Sequence, residues 1–349
     1  MVRLTVFLIA AITALPAFAQ VGPGTAVAET FARPALEALA TTAQETASSV
    51  EALCVAPAQT NLDETRAEFG DLVRAFGRAS VLRFGPLAAD NRFERLFFWP
   101  DPRGTALKQV QAALAADDGG TTPEDIAGKS VALQGLPALE FVLFGTSSDD
   151  LARTGHDVRC TFAHAIAVNI ATMSTDAMQG WAADTAFSRA FEMPSADTEP
   201  YRTAGEVDGE IVKALATIFQ FVRAAELQPA LGKDVDAANG RRAPLWRSDL
   251  SFGLVAAQLE GARDLLAAAN YAQTLPQDTR FIADSIRFEL DSTIRVLGEI
   301  AEPAETAFGS ERARIGFADI AIDHAGHLVS EELAAALGLT MGFNALDGD

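Results

Sequence analysis

The sequence predicts an all-α chain of two lobes, each a four-helix-like bundle, and three observations carry that expectation. Apolar residues recur three and four positions apart over long stretches, which puts them on one face of a helix. No alternating apolar–polar run flanks an Asn-Gly or Asp-Gly turn, so the hairpin signal is missing. The stretch Met193-Pro194-Ser195-Ala196-Asp197-Thr198-Glu199-Pro200 has two prolines and no apolar period, and it divides the chain into halves of similar size.

Residues 1–19 form an export leader: Arg3 gives the positive end, Leu4 to Leu15 the apolar run, and Ala17-Phe18-Ala19 a small-residue cleavage site before Gln20. The run is shorter than a spanning helix needs, about 20 apolar residues, and it stops at Pro16. The N-terminal lobe then covers 20–192 and the C-terminal lobe 193–349. Helices are expected near 26–54, 61–83, 105–116, 136–144, 157–185, 205–228, 249–270, 277–300 and 311–336. The second carries Phe69, Leu72, Val73 and Phe76 at helical spacing; the sixth carries Ile211, Leu215, Ile218 and Val222; the eighth carries Ile282, Ile286, Leu290, Ile294 and Leu297. Thr122-Pro123-Glu124-Asp125 has the form of a helix start, with Thr122 as cap and Pro123 first inside. An Arg-to-Trp echo, Arg95 to Trp99 and Arg241 to Trp246, precedes one helix in each half.

The formal net charge of −20 argues against nucleic acid and anionic membrane surfaces as partners. Cys54 and Cys160 are the only cysteines, and in an exported chain they are expected to form one disulfide, with a catalytic thiol as the alternative. Such a bond closes a loop of roughly a hundred residues, for which chain entropy allows up to about 4.7 kcal/mol.

Glu140 is the only ionisable residue between Lys129 and Asp149, and Val131, Leu133, Leu136, Leu139 and the Phe141–Phe144 run surround it. A carboxylate there loses hydration and must be paired, hydrogen-bonded or protonated. Pro137 suits a first helical turn, which puts Glu140 near the positive end of the helix dipole. Its neighbours three and four positions away are Leu136, Pro137, Leu143 and Phe144, none of which can pair with it. Two roles stay open: a ligand-binding carboxylate, and a structural one closing an internal polar network.

The segment Gly135-Leu136-Pro137-Ala138-Leu139-Glu140-Phe141-Val142-Leu143-Phe144-Gly145 resembles the signature of the imelysin-like proteins. The stretches Phe97 to Gly104, Arg241 to Ser248 and Gly342 to Asp349 are similar to that family too. The resemblance implies an all-helical, two-lobed protein of the periplasm or cell envelope, with its site between the lobes. It also implies association with iron uptake and with the outer membrane, and a metallopeptidase label attached to some members. The family pattern is G-x-H-x-x-E; Gly135 and Glu140 match it, but Pro137 stands where the histidine would be, and proline offers a metal no donor.

A metal site of iron or another divalent cation would therefore have to be assembled from Glu140 and distant residues. His324 and His327 are three apart on a helix and can share a face with Asp323, although Ile320 and Leu328 lie close to that face, and the alternative is a solvated surface. No H-E-x-x-H, paired C-x-x-C or G-x-S-x-G motif is present. Asp347 and Asp349 close the chain and either fold back onto a cation or an arginine, or remain solvated. Arg83, Arg103, Arg241, Arg242 and Arg247 are candidate partners for Glu140, and a guanidinium among them can stack on Trp99 or Trp246; Asp101 lies in the same aromatic segment as Trp99. The same arginines could be plain ion pairs locking the lobes. The expected function is binding of an iron-related or other small ligand around Glu140, with a metallopeptidase of non-standard metal site and a non-catalytic envelope adaptor as alternatives.

Overall fold

The structure, a computed structural model, describes residues 22–116, 121–155 and 157–339. The leader, Asp347 and Asp349 lie outside the described residues. All regular structure among those described is helical. Nine helices form the frame: α1 (Arg33–Val55), α2 (Gln59–Ala79), α3 (Thr105–Ala116), α4 (Leu136–Phe144), α5 (Val158–Gly180), α6 (Ala204–Phe221), α7 (Ser251–Ala269), α8 (Phe281–Gly298) and α9 (Arg312–His327). Each overlaps the stretch in which a helix is expected, and α1, α2 and α6 pass its bounds by one or two residues.

In the N-terminal half α1, α2, α4 and α5 pack in a ring; in the C-terminal half α6, α7, α8 and α9 do the same. The two rings meet along α2 and α7. Glycines permit that seam: a Cβ on Gly261 would stand 2.2 Å from the Arg78 carbonyl oxygen, and one on Gly77 would stand 2.7 Å from the Ala257 methyl. The buried apolar residues of both halves consequently form one continuous core. The stretch 193–200 is irregular, held by Ser195 N–H donating to Thr198 Oγ1 (2.8 Å), and leads into buried Tyr201. Cys54 at the end of α1 and Cys160 at the start of α5 are bridged, their Cα atoms 5.6 Å apart.

Several ends differ from expectation. The helix expected over 61–83 tightens into a 3₁₀ turn at Ser80–Leu82. That over 157–185 stops at Gly180, where fully buried Trp181 turns inward against Phe187 and Phe191 and a short helix, Ala186–Glu192, follows. The helices expected over 205–228 and 311–336 run on through π-helical turns at Val222–Leu227 and Leu328–Leu333. A π turn adds one residue without ending the helix, so apolar spacing alone does not reveal it. Thr122 caps Pro123–Gly128 in a full capping box with Asp125. No helix of the described residues is long and apolar enough to cross a membrane.

Candidate functional site

Glu140 is placed by α4, and α4 by Gly135. A Cβ at Gly135 would come within 2.2 Å of the Leu96 carbonyl oxygen, so only glycine lets the helix start seat against the turn at Arg92–Leu96. Pro137 lies in the first turn, where its missing N–H costs nothing. Most of α4 is buried, and Glu140 with it, at 3% exposure.

Its partners come from the other half of the chain. The loop 240–250 is fixed at one end by Gly240, which leaves no room for a Cβ against the Ala304 carbonyl, and by Asp249 Oδ1, which accepts from Ala304 N (2.8 Å). Inside it, Leu245 and Asp249 adopt left-handed conformations (φ 53° and 60°), each costing a non-glycine residue about 1–2 kcal/mol. Leu250 N–H donates to Leu245 O (3.1 Å) and Ser251 Oγ to Pro244 O (2.6 Å), which locks the bend. The result is a cradle. The backbone N–H groups of Arg247 (2.9 Å) and Ser248 (3.0 Å) both donate to Glu140 Oε1. The Ser248 hydroxyl sits 3.0 Å from Oε1 and 3.0 Å from Leu245 O and donates to one at a time. All of these contacts fall on Oε1, and Oε2 has no hydrogen-bond partner among the described residues.

Two influences oppose each other at this carboxyl. Burial pushes its pKa up, and the Ser248 amide, the Arg247 charge, the Ser248 hydroxyl and the Arg247 amide push back, with burial the stronger. The Arg247 guanidinium lies over the Trp246 ring (4.5 Å to the centroid) and the Phe141 ring (5.4 Å). It makes no hydrogen bond or ion pair with any described residue, and its pKa is lowered, chiefly by lost hydration.

Glu140 and Arg247 line one cavity of about 140 Å³, with Pro137, Phe98, Trp99, Leu107 and Trp246 among its walls. Trp99 Nε1 donates to Ala225 O (2.7 Å), which anchors that wall to the π turn in the C-terminal half. Arg241 and Asp101 also face the cavity, but both have partners: Arg241 Nε donates to Glu305 Oε1 (2.9 Å), and Asp101 caps α3 by accepting from Thr105 N (2.8 Å) and Ala106 N (2.7 Å).

The other residues expected at the site lie elsewhere. Arg83 pairs with Glu94 (2.8 Å) and stacks on Phe93 and Phe221, away from this cavity. Arg103 and Arg242 are exposed and line none of it. Gly135 serves a close backbone approach and does not line this cavity. No arginine forms an ion pair with Glu140; its partners are two amides and a hydroxyl. Ser248 was named by sequence only inside a family-like segment, because a backbone cradle formed by left-handed Leu245 and Asp249 has no side-chain signature.

His324 and His327 sit on the exposed side of α9, with Nδ1 of His324 2.8 Å from Glu289 Oε1 and Nδ1 of His327 3.3 Å from Glu331 Oε1. Among the described residues no three His, Cys, Asp or Glu side chains converge as a metal would require. Around Glu140 the donor set suits iron poorly: one free carboxylate oxygen, a proline, an aspartate whose oxygens are spent on amides, and two guanidinium cations.

The imelysin family model, which carries a peptidase family label, matches residues 32–328. An imelysin-like protein from Psychrobacter arcticum 273-4 has the same fold at a TM-score of 0.75 and 20% identity, over 92% of this chain and 96% of that one. A protein from Parabacteroides distasonis ATCC 8503, described as an iron-regulated protein A precursor, aligns at a TM-score of 0.71 and 13% identity, over 88% of this chain and 92% of that one. No curated protein matches the sequence.

Proposed function

The chain belongs to the imelysin family, and from that premise we propose that it binds a small polar organic ligand in the Glu140 cavity. The observation that carries this reading is Glu140 itself: it is nearly fully buried, fixed at one oxygen by two amides and a hydroxyl, and its other oxygen lacks a partner beside a cavity. A purely structural carboxylate has no use for an open side, whereas a ligand anchor requires one. Aromatic walls and a desolvated, unpaired guanidinium add shape and a second polar anchor.

Binding is preferred to hydrolysis because the side chains at the cavity form no nucleophile–base pair. The Ser248 hydroxyl is spent on Glu140 and Leu245 and does not line the cavity. A link to iron, suggested by the description of the Parabacteroides relative, would run through an organic chelate or through regulation, since the donor set favours neither ferrous nor ferric ion alone. The leader over residues 1–19 and the Cys54–Cys160 bridge support export to an oxidising envelope compartment.

The test is calorimetric titration of the mature protein and its Glu140→Gln variant. Ferrous, ferric and zinc ions are titrated alone, then a panel of amino acids, carboxylates, amines and ferric citrate. Saturable binding of a panel member, weakened in the variant, is the expected result. Stoichiometric binding of a bare metal that is lost in the variant would overturn this reading in favour of a metal site.

A further inference from the structure

The cavity presents two groups of opposite charge that attract each other without a side-chain hydrogen bond or ion pair between them. Glu140 Oε2 has no donor, and the Arg247 guanidinium has no acceptor, among the described residues. Both have lost water: Glu140 is 3% exposed and Arg247 is half-buried. Desolvated charges at such proximity would ordinarily collapse into an ion pair, since each alone bears the cost of burial. Here the fold keeps them apart. The cradle of Arg247 and Ser248 amides fixes Oε1, and stacking on Trp246 and Phe141 fixes the guanidinium plane.

We infer that the occupant of this cavity is a small zwitterion, an amino carboxylate with an apolar side chain, that bridges Glu140 Oε2 and the Arg247 guanidinium. Its ammonium donates to Oε2, and its carboxylate accepts the planar fork of Arg247. Its side chain lies among Phe98, Trp99, Leu107 and Val110. A simple anion would answer Arg247 and leave Oε2 alone; a simple amine would do the reverse. Only a molecule with both groups relieves both penalties. Size agrees, since about 140 Å³ is well below the roughly 300–1,000 Å³ of pockets for drug-sized ligands. Arg241 is held by Glu305 and supports the positive end without competing for the carboxylate.

This inference rests on the cavity being a ligand site, and the experiment separates the two. The full-length mature protein is titrated with L-leucine and L-phenylalanine. In parallel it is titrated with N-acetyl-L-leucine, which lacks the ammonium, and isoamylamine, which lacks the carboxylate. The amino acids should bind one per chain, and each single-pole analogue should bind weaker by roughly tenfold to a hundredfold. Glu140→Gln should erase the preference for leucine over N-acetyl-leucine, and Arg247→Met should erase that over isoamylamine. Leu107→Trp, which fills the cavity and leaves both charges in place, should abolish binding of all four and serves if a charge variant fails to fold. Equal binding of leucine and one of the single-pole analogues overturns the zwitterion and leaves the ligand site standing. Binding of other panel members but none of these four does the same. If nothing in either set binds the wild-type protein, both readings fall.

Discussion

Two glutamates, Glu140 and Glu226, are buried among the described residues, and they are accommodated in opposite ways. Glu140 sits in α4 against the 240–250 loop, its Oε1 crowded by donors and its Oε2 free beside a cavity. Glu226 sits fully buried in the π turn Val222–Leu227, where Oε1 accepts one bond from Gln258 Nε2 (2.9 Å). Glu226 Oε2 and Gln258 Oε1 are both buried without a partner, two acceptors in one pair with no donor between them. A proton on Oε2 supplies that donor, and burial pushes the Glu226 pKa up to about 8. Burial thus favours the neutral acid at Glu226 at neutral pH. The comparison teaches that neither burial nor an unusual backbone marks a site. A fixed set of donors, a free oxygen and an opening together are what set Glu140 apart as the candidate.

The largest expected break in this contrast is Glu140→Leu. It strands the amides of Arg247 and Ser248, while the Ser248 hydroxyl keeps Leu245 O, and at roughly 1–3 kcal/mol per buried unsatisfied group the loss should be about 2–6 kcal/mol in urea denaturation. A change under about 1 kcal/mol would mean the 240–250 loop relaxes freely and the cradle is not preorganised.

The pH dependence of stability should come next. Glu226 has a folded pKa of about 8 against 4.5 when exposed, so the folded state binds the extra proton between those values. Its contribution is complete below 4.5 and is lost as pH rises toward about 8, with a slope approaching about 1.4 kcal/mol per pH unit. Glu140 and Asp208 are shifted up as well and add to the same trend. The difference between wild type and Glu226→Gln isolates the Glu226 part: the variant, an isostere of the protonated acid, should show a flatter profile from pH 5 to 8. Superimposable profiles would refute a neutral Glu226.

Trp99→Phe should be smaller still. It removes the bond from Nε1 to Ala225 O, which ties the cavity wall to the π turn beside Glu226, at about 1 kcal/mol. If the two regions are coupled through that bond, the variant should also raise the dissociation constant of any cavity ligand. Smallest of all should be the double change Glu226→Met with Gln258→Leu, which replaces both partners by apolar groups of similar size and should be neutral to slightly stabilising in thermal melts. The corresponding removal of both sides at Glu140 is impossible, because its partners there are largely backbone.

The contrast also explains what could be read in advance. Glu140 was conspicuous because it stands alone in an apolar run between Lys129 and Asp149. Glu226 carries no such signal, because charged and polar Arg223 and Gln228 stand close to it in the sequence; in the structure Arg223 turns to Asp319 and Asp323 and Glu226 turns inward. Arg83 and Arg247 looked equivalent as candidate anchors. Tertiary packing gave Arg83 a carboxylate and two rings, and gave Arg247 two rings and no carboxylate.

By itself the sequence determined the helical frame, the helix start capped by Thr122, the first-turn proline and buried carboxylate of α4, and the pairing of the only two cysteines. These follow from side-chain periodicity, local hydrogen bonding and composition, which act over a few residues or need no geometry at all. Tertiary structure alone decided which groups Glu140 meets, that the halves share one core across Gly77 and Gly261, and that Glu226 is fully buried. Those outcomes depend on bringing together groups roughly 100 to 180 residues apart and on backbone N–H groups whose direction no side chain encodes.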